Sequence, residues 1–196
     1  MMQALKEWAI VCKALEEGRQ IILLRKGGIL EYRQGFEVKH ERFFLFPTYE
    51  HQSREHLQQD YADKLDDVLK NQPAPGTNKM TSYTEVADVK EITDRSVLKL
   101  LAKYHIWNES YVNARMDYNP KKPMSVILLR VFKLEMPLYL ETKPEWAGCK
   151  SWIPVDFNNN NHDNVIGDSI RSRPAVDDLQ FSRLASEVRE VLSAAV

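Results

Sequence analysis

The chain has 196 residues, 43% hydrophobic and 28% charged, proportions of a globular domain that can bury a full core and not of a disordered or fibrous chain. Its 27 basic and 28 acidic residues nearly cancel, which excludes a uniformly basic, histone-like protein, and no apolar run is long enough to span a membrane. Two cysteines, Cys12 and Cys149, cannot make a disulfide framework, and Lys6, Glu7 and Lys13 break up the first residues, so no secretory signal is read and the cytoplasm is the expected compartment.

Residues 5–17 place Leu5, Trp8, Ala9, Cys12 and Leu15 at spacings of three and four, which predicts an amphipathic helix, or a strand passing into one, stopped by Gly18. Residues 19–25 read as a buried strand closed by the turn Lys26-Gly27-Gly28, with 29–32 as the return strand of a hairpin. A further strand over 36–46 is ended by Pro47. Residues 50–70 predict one helix whose outer face is acidic, net −3 from six acidic and three basic residues. Two prolines and a glycine make 72–79 a loop, which joins two halves, 1–71 and 80–196, of a single domain. A strand over 83–89, a helix capped by Thr93 or Asp94 and a short helix capped by Asn108 follow, the last ended by residues 120–123. The β-branched run 124–134 reads as a central strand, with 138–141 and 149–155 as others, 158–163 as a polar exposed loop and 176–195 as a C-terminal amphipathic helix. The pattern is α+β: a curved mixed or antiparallel sheet with flanking helices.

Arg25 and Lys26 beside Gly27 and Gly28 suit the close approach of a phosphate to the backbone, and equally suit a hairpin turn with solvated cations. The segment FPTYEHQ delivers Thr48, Tyr49, His51 and Gln52 from a strand end, where binding residues concentrate; the other reading makes Thr48 the N-cap of the acidic helix. Glu50, His51, Glu55 and His56 are metal-ligand types, but no HExxH or CxxC spacing is present, so no metal centre is expected. Glu141-Thr-Lys143 after an apolar strand has the form of the Mg²⁺-dependent nuclease half-motif, for which Asp117 or Glu135 would be the upstream acid. Only that alternative calls for a cofactor, Mg²⁺. Residues 112–152 sum to +3, seven basic against four acidic, and interleave Arg115, Lys122 and Arg130 with Trp152 and other aromatics, a composition that can hold a phosphate backbone and stack a base.

Four strings, ALKEWAIVCKALEEGRQIILLRKGGI at 4–29, FFLFPTYEHQ at 43–52, KKPMSVILLRVFKL at 121–134 and GCKSWI at 148–153, resemble the bacterial and archaeal family called domain of unknown function 1802. That resemblance implies a restriction-modification setting, because members occur joined to Mrr-like restriction endonuclease domains. ALEEGRQIILLR at 14–25 also resembles the opening of ASCH and PUA-like domains, small β-barrels that bind RNA or modified DNA, with Gln20 and Leu23 or Leu24 standing where those domains carry Lys and Glu. The expectation is therefore a PUA-like curved sheet or barrel that binds DNA or RNA, with a separate restriction nuclease subunit as a partner and no membrane. Arg25, Lys26, Lys122 and Arg130 would capture the backbone, and Thr48, Tyr49, His51, Gln52 and Trp152 would shape a pocket for one base. A Mg²⁺-dependent nuclease of the PD-(D/E)XK type, with Asp117, Glu141 and Lys143, and a protein-interaction subunit using the acidic helix are the alternatives.

Overall fold

In a computed structural model, which describes residues 2–26, 36–148, 150–156 and 170–194, the first residues form a strand, β1 (Met2–Trp8), that passes directly into the helix α1 (Ala9–Glu16). Between the two readings of residues 5–17, pairing decides. β1 is hydrogen-bonded on both sides, to β3 (Arg42–Thr48) in parallel and to β6 (Trp152–Val155) in antiparallel, and two ladders outweigh a small local helical preference. Gly18 then ends α1 in the left-handed region at φ +68°, and a Cβ there would lie 2.3 Å from Val176 Cγ1, so conformation and space both require glycine.

The strand β2 (Ile22–Arg25) pairs with the start of β5 (Met124–Glu141), Ile22 opposite Leu128 and Arg25 opposite Ser125. The expected return strand at 29–32 lies outside the described residues, as do Gly27, Gly28, Cys149 and the polar stretch 158–163. β3 starts at Arg42, later than expected, and includes Pro47. Only its first residues pair with β4 (Thr77–Ile92), so the missing Pro47 N–H falls where β4 offers no ladder partner. β4 and β5 are longer than the sequence pattern showed. β4 begins inside the predicted 72–79 loop, and β5 fuses the segments 124–134 and 138–141 through Pro137. That proline lies in a register break, between the pairs Ser82 with Lys133 and Met80 with Leu138, where β5 has no β4 partner to lose. The last strand, β7 (Ser172–Pro174), covers β5 from the other side just before that break.

The seven strands form one sheet in the order β2-β5-β4-β3-β1-β6, with β7 also on β5, and strands from both halves of the chain contribute to it. The expected barrel does not close among the described residues: β2 and β6, the ends of that order, are not hydrogen-bonded to each other. Breaks in register at Met80/Ser82 and Val86/Asp88 curl the sheet. The curl is strong enough that Arg25, ending β2, reaches the Lys6 carbonyl on β1 and the Ser151 hydroxyl beside β6.

The larger core packs α1, α4 (Arg95–Leu100), α5 (Glu109–Asp117) and the C-terminal helix α6 (Asp178–Ser193) against the sheet. A smaller core holds Phe44, Phe46, Met80, Leu138, Trp146 and Ile153. Asp94 caps α4 through the Ser96 N–H, and Asn108 caps α5 through the Tyr111 N–H, as the sequence predicts. The predicted acidic helix over 50–70 is instead a 3₁₀ turn (Arg54–His56) and two short helices, α2 (Gln59–Ala62) and α3 (Leu65–Lys70). The break has a cause: Leu57 is extended and bridges to Trp107, which no continuous helix allows.

Candidate functional site

At the C-terminal end of β1, Glu7 is buried, and the guanidinium of Arg25 meets it from β2 with Nη1 3.1 Å from Oε2. Arg25 also donates to Ser151 Oγ at 2.9 Å and lies 4.9 Å from the centre of the Phe36 ring. The second carboxylate oxygen of Glu7 accepts the Trp8 N–H at 2.8 Å, so the pair is hydrogen-bonded throughout, the condition under which a buried ion pair is tolerated.

FPTYEHQ reaches the same place. Thr48 donates its hydroxyl to the Glu7 carbonyl at 3.1 Å, so it joins β3 to β1 and does not cap the acidic segment. Gln52 accepts the Ile10 N–H at 2.9 Å and donates to the Tyr49 carbonyl at 3.3 Å. It thereby satisfies one of the orphan donors of the first turn of α1, whose own N-cap residue, Trp8, has no side-chain acceptor. Burial, with the nearby Cys12 and Glu16, raises the Tyr49 phenol above its ordinary value. His51 is exposed and holds φ +61°, a left-handed conformation uncommon for a side-chain-bearing residue.

The neighbouring end of β2 is rich in cations. Lys26 is buried and donates to the Met116 carbonyl in the last turn of α5 at 2.8 Å, where a cation meets the negative end of the helix. Burial and then the nearby Arg115 and Arg95 lower its pKa, against a smaller opposing effect of Asp117. Asp117 is itself bonded to Arg95. Arg115 lies 5.5 Å from the Tyr118 ring centre. Tyr111 ties the two groups together. Its phenol is pushed up to about 12 by burial, with Arg115, Glu7 and Arg25 all close enough to act on it. Its ring stacks on Trp107 at 4.9 Å and meets the half-buried Trp8 at 5.7 Å. Arg25, Lys26, Arg95 and Arg115 thus gather in one electrostatic neighbourhood with Glu7 and Asp117.

Lys122 stands three residues before Ser125, the cross-strand partner of Arg25, and so at the same sheet end. Trp152 packs on Phe36 at 6.0 Å and on Phe43 at 4.8 Å, and donates its indole N–H to the Glu37 carbonyl. It is a wall beside Arg25. Arg130 belongs elsewhere: five residues from Ser125, on the other face of β5, it bonds Asp178 and the Asp177 carbonyl and covers the Phe181 ring, holding the start of α6 to the sheet. Asp117 is not brought to Glu141 and Lys143. Asp117 pairs with Arg95, just past the end of the β4–β5 ladder at Ile92 opposite Met124, whereas Glu141 lies at the other end, opposite Thr77. Among the described residues no three His, Cys, Asp or Glu side chains gather as metal ligands would, and no helix is long and apolar enough to cross a membrane.

Tyr111 is among the aromatics interleaved with the cations of 112–152, whereas Glu7, Trp8, Phe36 and Arg95 were not singled out from sequence for this site. The one available signal was Glu7, a charge set among the buried positions of a strand.

The chain belongs to the family described as domain of unknown function DUF1802, which matches residues 4–187. Among solved structures it is similar to an ASCH protein from Zymomonas mobilis, with a TM-score of 0.40 at 11% identity over 65% of this chain and 66% of the other, just under two thirds of that protein's length. Two mutant forms of the same Zymomonas mobilis protein give TM-scores of 0.38, at 12% and 11% identity over 73% of this chain and 89% and 91% of theirs. No curated protein matches the chain.

Proposed function

We propose that the protein binds nucleic acid at the sheet end formed by β1, β2 and α5. The observation that carries this reading is the gathering there of four cations, Arg25, Lys26, Arg95 and Arg115, in a chain whose net charge is −1. A local concentration of cations in a near-neutral protein attracts a polyanion to one place. The roles divide by exposure. Buried Lys26, and Arg25 with its side chain 18% exposed, are held by the fold and supply field, while the partly exposed Arg95, Arg115 and Lys122 reach phosphate oxygens. Trp8, half-buried at the edge of Tyr111, offers a ring on which a base stacks, a contact worth about 1–3 kcal/mol.

We also propose, from the restriction-modification setting that the family resemblance implies, that a separate restriction nuclease works beside this chain; co-purification with such a nuclease from the native cell tests it. The test of binding is a titration of labelled single-stranded and duplex DNA and RNA at several salt concentrations. Affinity is expected to fall linearly with salt on logarithmic axes, and replacing Arg115 and Lys122 by Ala is expected to reduce the slope by about 1.5–2, one unit or slightly less for each lost phosphate contact. No binding at low salt, or an unchanged slope in that double variant, would remove the reading and bring the protein-interaction alternative forward.

A further inference from the structure

A cleft of about 620 Å³ opens between residues 36–41, the second half of β4 and the start of β5. That volume is enough for a nucleobase. It adjoins the cationic site, because Phe36, the ring under Arg25, also lines the cleft. Strand register adds a second link. Glu91 on β4, Ser125 on β5 and Arg25 on β2 are successive cross-strand partners, so a carboxylate, a hydroxyl and a guanidinium stand in one row about 10 Å long at ordinary strand spacing.

Ser125 is 4% exposed, lines the cleft, and its hydroxyl has no hydrogen-bond partner among the described residues. A hydroxyl with no partner in the fold, on a residue whose small exposed surface lies in the wall of an open cleft, is available to bond a group that enters. The rim is acidic. Glu37, Glu41 and Glu91 form no ion pair among the described residues, Asp88 is taken by Arg189 at 3.1 Å, and Lys39 also lines the cleft. A phosphate would be repelled from this rim and drawn to Arg25, whereas a group rich in N–H donors would be accepted.

We propose that this cleft is a nucleobase subsite that selects bases carrying an exocyclic amine, with the phosphate lying toward Arg25. The proposal rests on the nucleic-acid reading above and adds the class of base. Cytosine and uracil separate the chemistry cleanly. Where cytosine presents an amine, a donor that a carboxylate accepts, uracil presents a carbonyl, an acceptor set against an acceptor.

The experiment compares oligo-dC and oligo-dU of equal length on the wild type and on a Ser125→Ala/Glu91→Gln double variant. Removing an unpaired hydroxyl and neutralising an exposed carboxylate break no internal hydrogen bond, so the variant is expected to melt with the wild type, which a thermal scan checks. The wild type is expected to bind oligo-dC at least about fivefold more tightly than oligo-dU, and the double variant to bind them equally with the salt slope unaltered. Equal wild-type affinities overturn the subsite and leave general nucleic-acid binding standing. A preference that survives in the double variant overturns it too. Uniformly tighter binding of both oligomers by the variant would show that the carboxylates only repel the backbone. Failure of both oligomers to bind wild type at low salt overturns both readings together.

Discussion

A carboxylate with only 5% of its surface exposed persists at Glu7 because Arg25 and the Trp8 N–H meet its two oxygens, while Thr48 and Arg25 hold the strand around it. Removing one partner of such a pair leaves the other charge buried and unpaired, which costs far more than the pair itself contributes. Arg25→Ala is therefore expected to destabilise the fold by about 3–5 kcal/mol, whereas replacing both residues by apolar ones of similar size should recover most of that loss, as read by denaturant unfolding. A single-variant loss below about 1 kcal/mol would show that Glu7 finds water in the folded protein. The same logic explains why Arg25 is a poor probe of ligand contact: its removal changes stability and affinity together. Lys122, partly exposed, separates the two.

At the scale of elements, the N-terminus of α1 shows how the chain uses FPTYEHQ. The Ile10 N–H is met by Gln52, 42 residues away, because Trp8 has no oxygen to offer. Gln52→Ala is expected to cost about 1 kcal/mol of stability, in the range of a lost N-cap, and Gln52→Glu to restore only part of it, since a carboxylate accepts the same N–H and suits the positive end of a helix but cannot donate to the Tyr49 carbonyl. Both are expected to leave the salt slope of nucleic-acid binding unchanged; a loss of affinity at full stability in Gln52→Ala would instead make this residue part of the ligand site. The segment stands out in sequence, yet its role does not, because a glutamine that caps a remote helix and one that reads a base look alike before the fold is known. The helices α4 and α5 were legible for the opposite reason, since Asp94 and Asn108 act on N–H groups two or three residues ahead, and α6 was legible from its apolar spacing. β1 was half-legible, since Leu5, Trp8, Ala9 and Cys12 keep helical spacing across a strand-to-helix junction. The pairing of β2 with β5 was not legible at all, because that partner lies a hundred residues downstream and no turn sequence announces it.

For the whole molecule, the curl of the sheet gathers what the sequence scatters. Glu7, Thr48 and Ser151 are neighbours through the pairing of β1 with β3 and β6, and Arg25 joins them only because β2 swings round toward β1 and β6, while Asp117 and Glu141 lie at opposite ends of the longest ladder. The helices that cover the larger core bury one titratable group with them. His105 is 3% exposed, packs 5.6 Å from Trp107, and neither ring nitrogen has a hydrogen-bond partner among the described residues. Burial lowers its pKa from 6.5 to about 4, so the folded protein keeps the imidazole neutral while the unfolded chain takes up a proton. The sign follows. This contribution to stability is complete above about pH 6.5, is lost by about 1.4 kcal/mol per unit as pH falls toward 4, and is flat below that, a total of roughly 3 kcal/mol. Acidic groups act in a lower window. Glu17, where burial is outweighed by hydrogen bonds from Lys13 and Tyr61, and Glu187, held low by Tyr104 and Lys103, lose their contribution only as pH falls below the ordinary carboxylate value. Subtracting the unfolding free energy of a His105→Leu variant from that of the wild type at each pH isolates the histidine. The difference is expected to decline between pH 6.5 and 4 and to be level on either side; a difference that stays constant across that window would mean that His105 is protonated, or hydrated, in the folded protein.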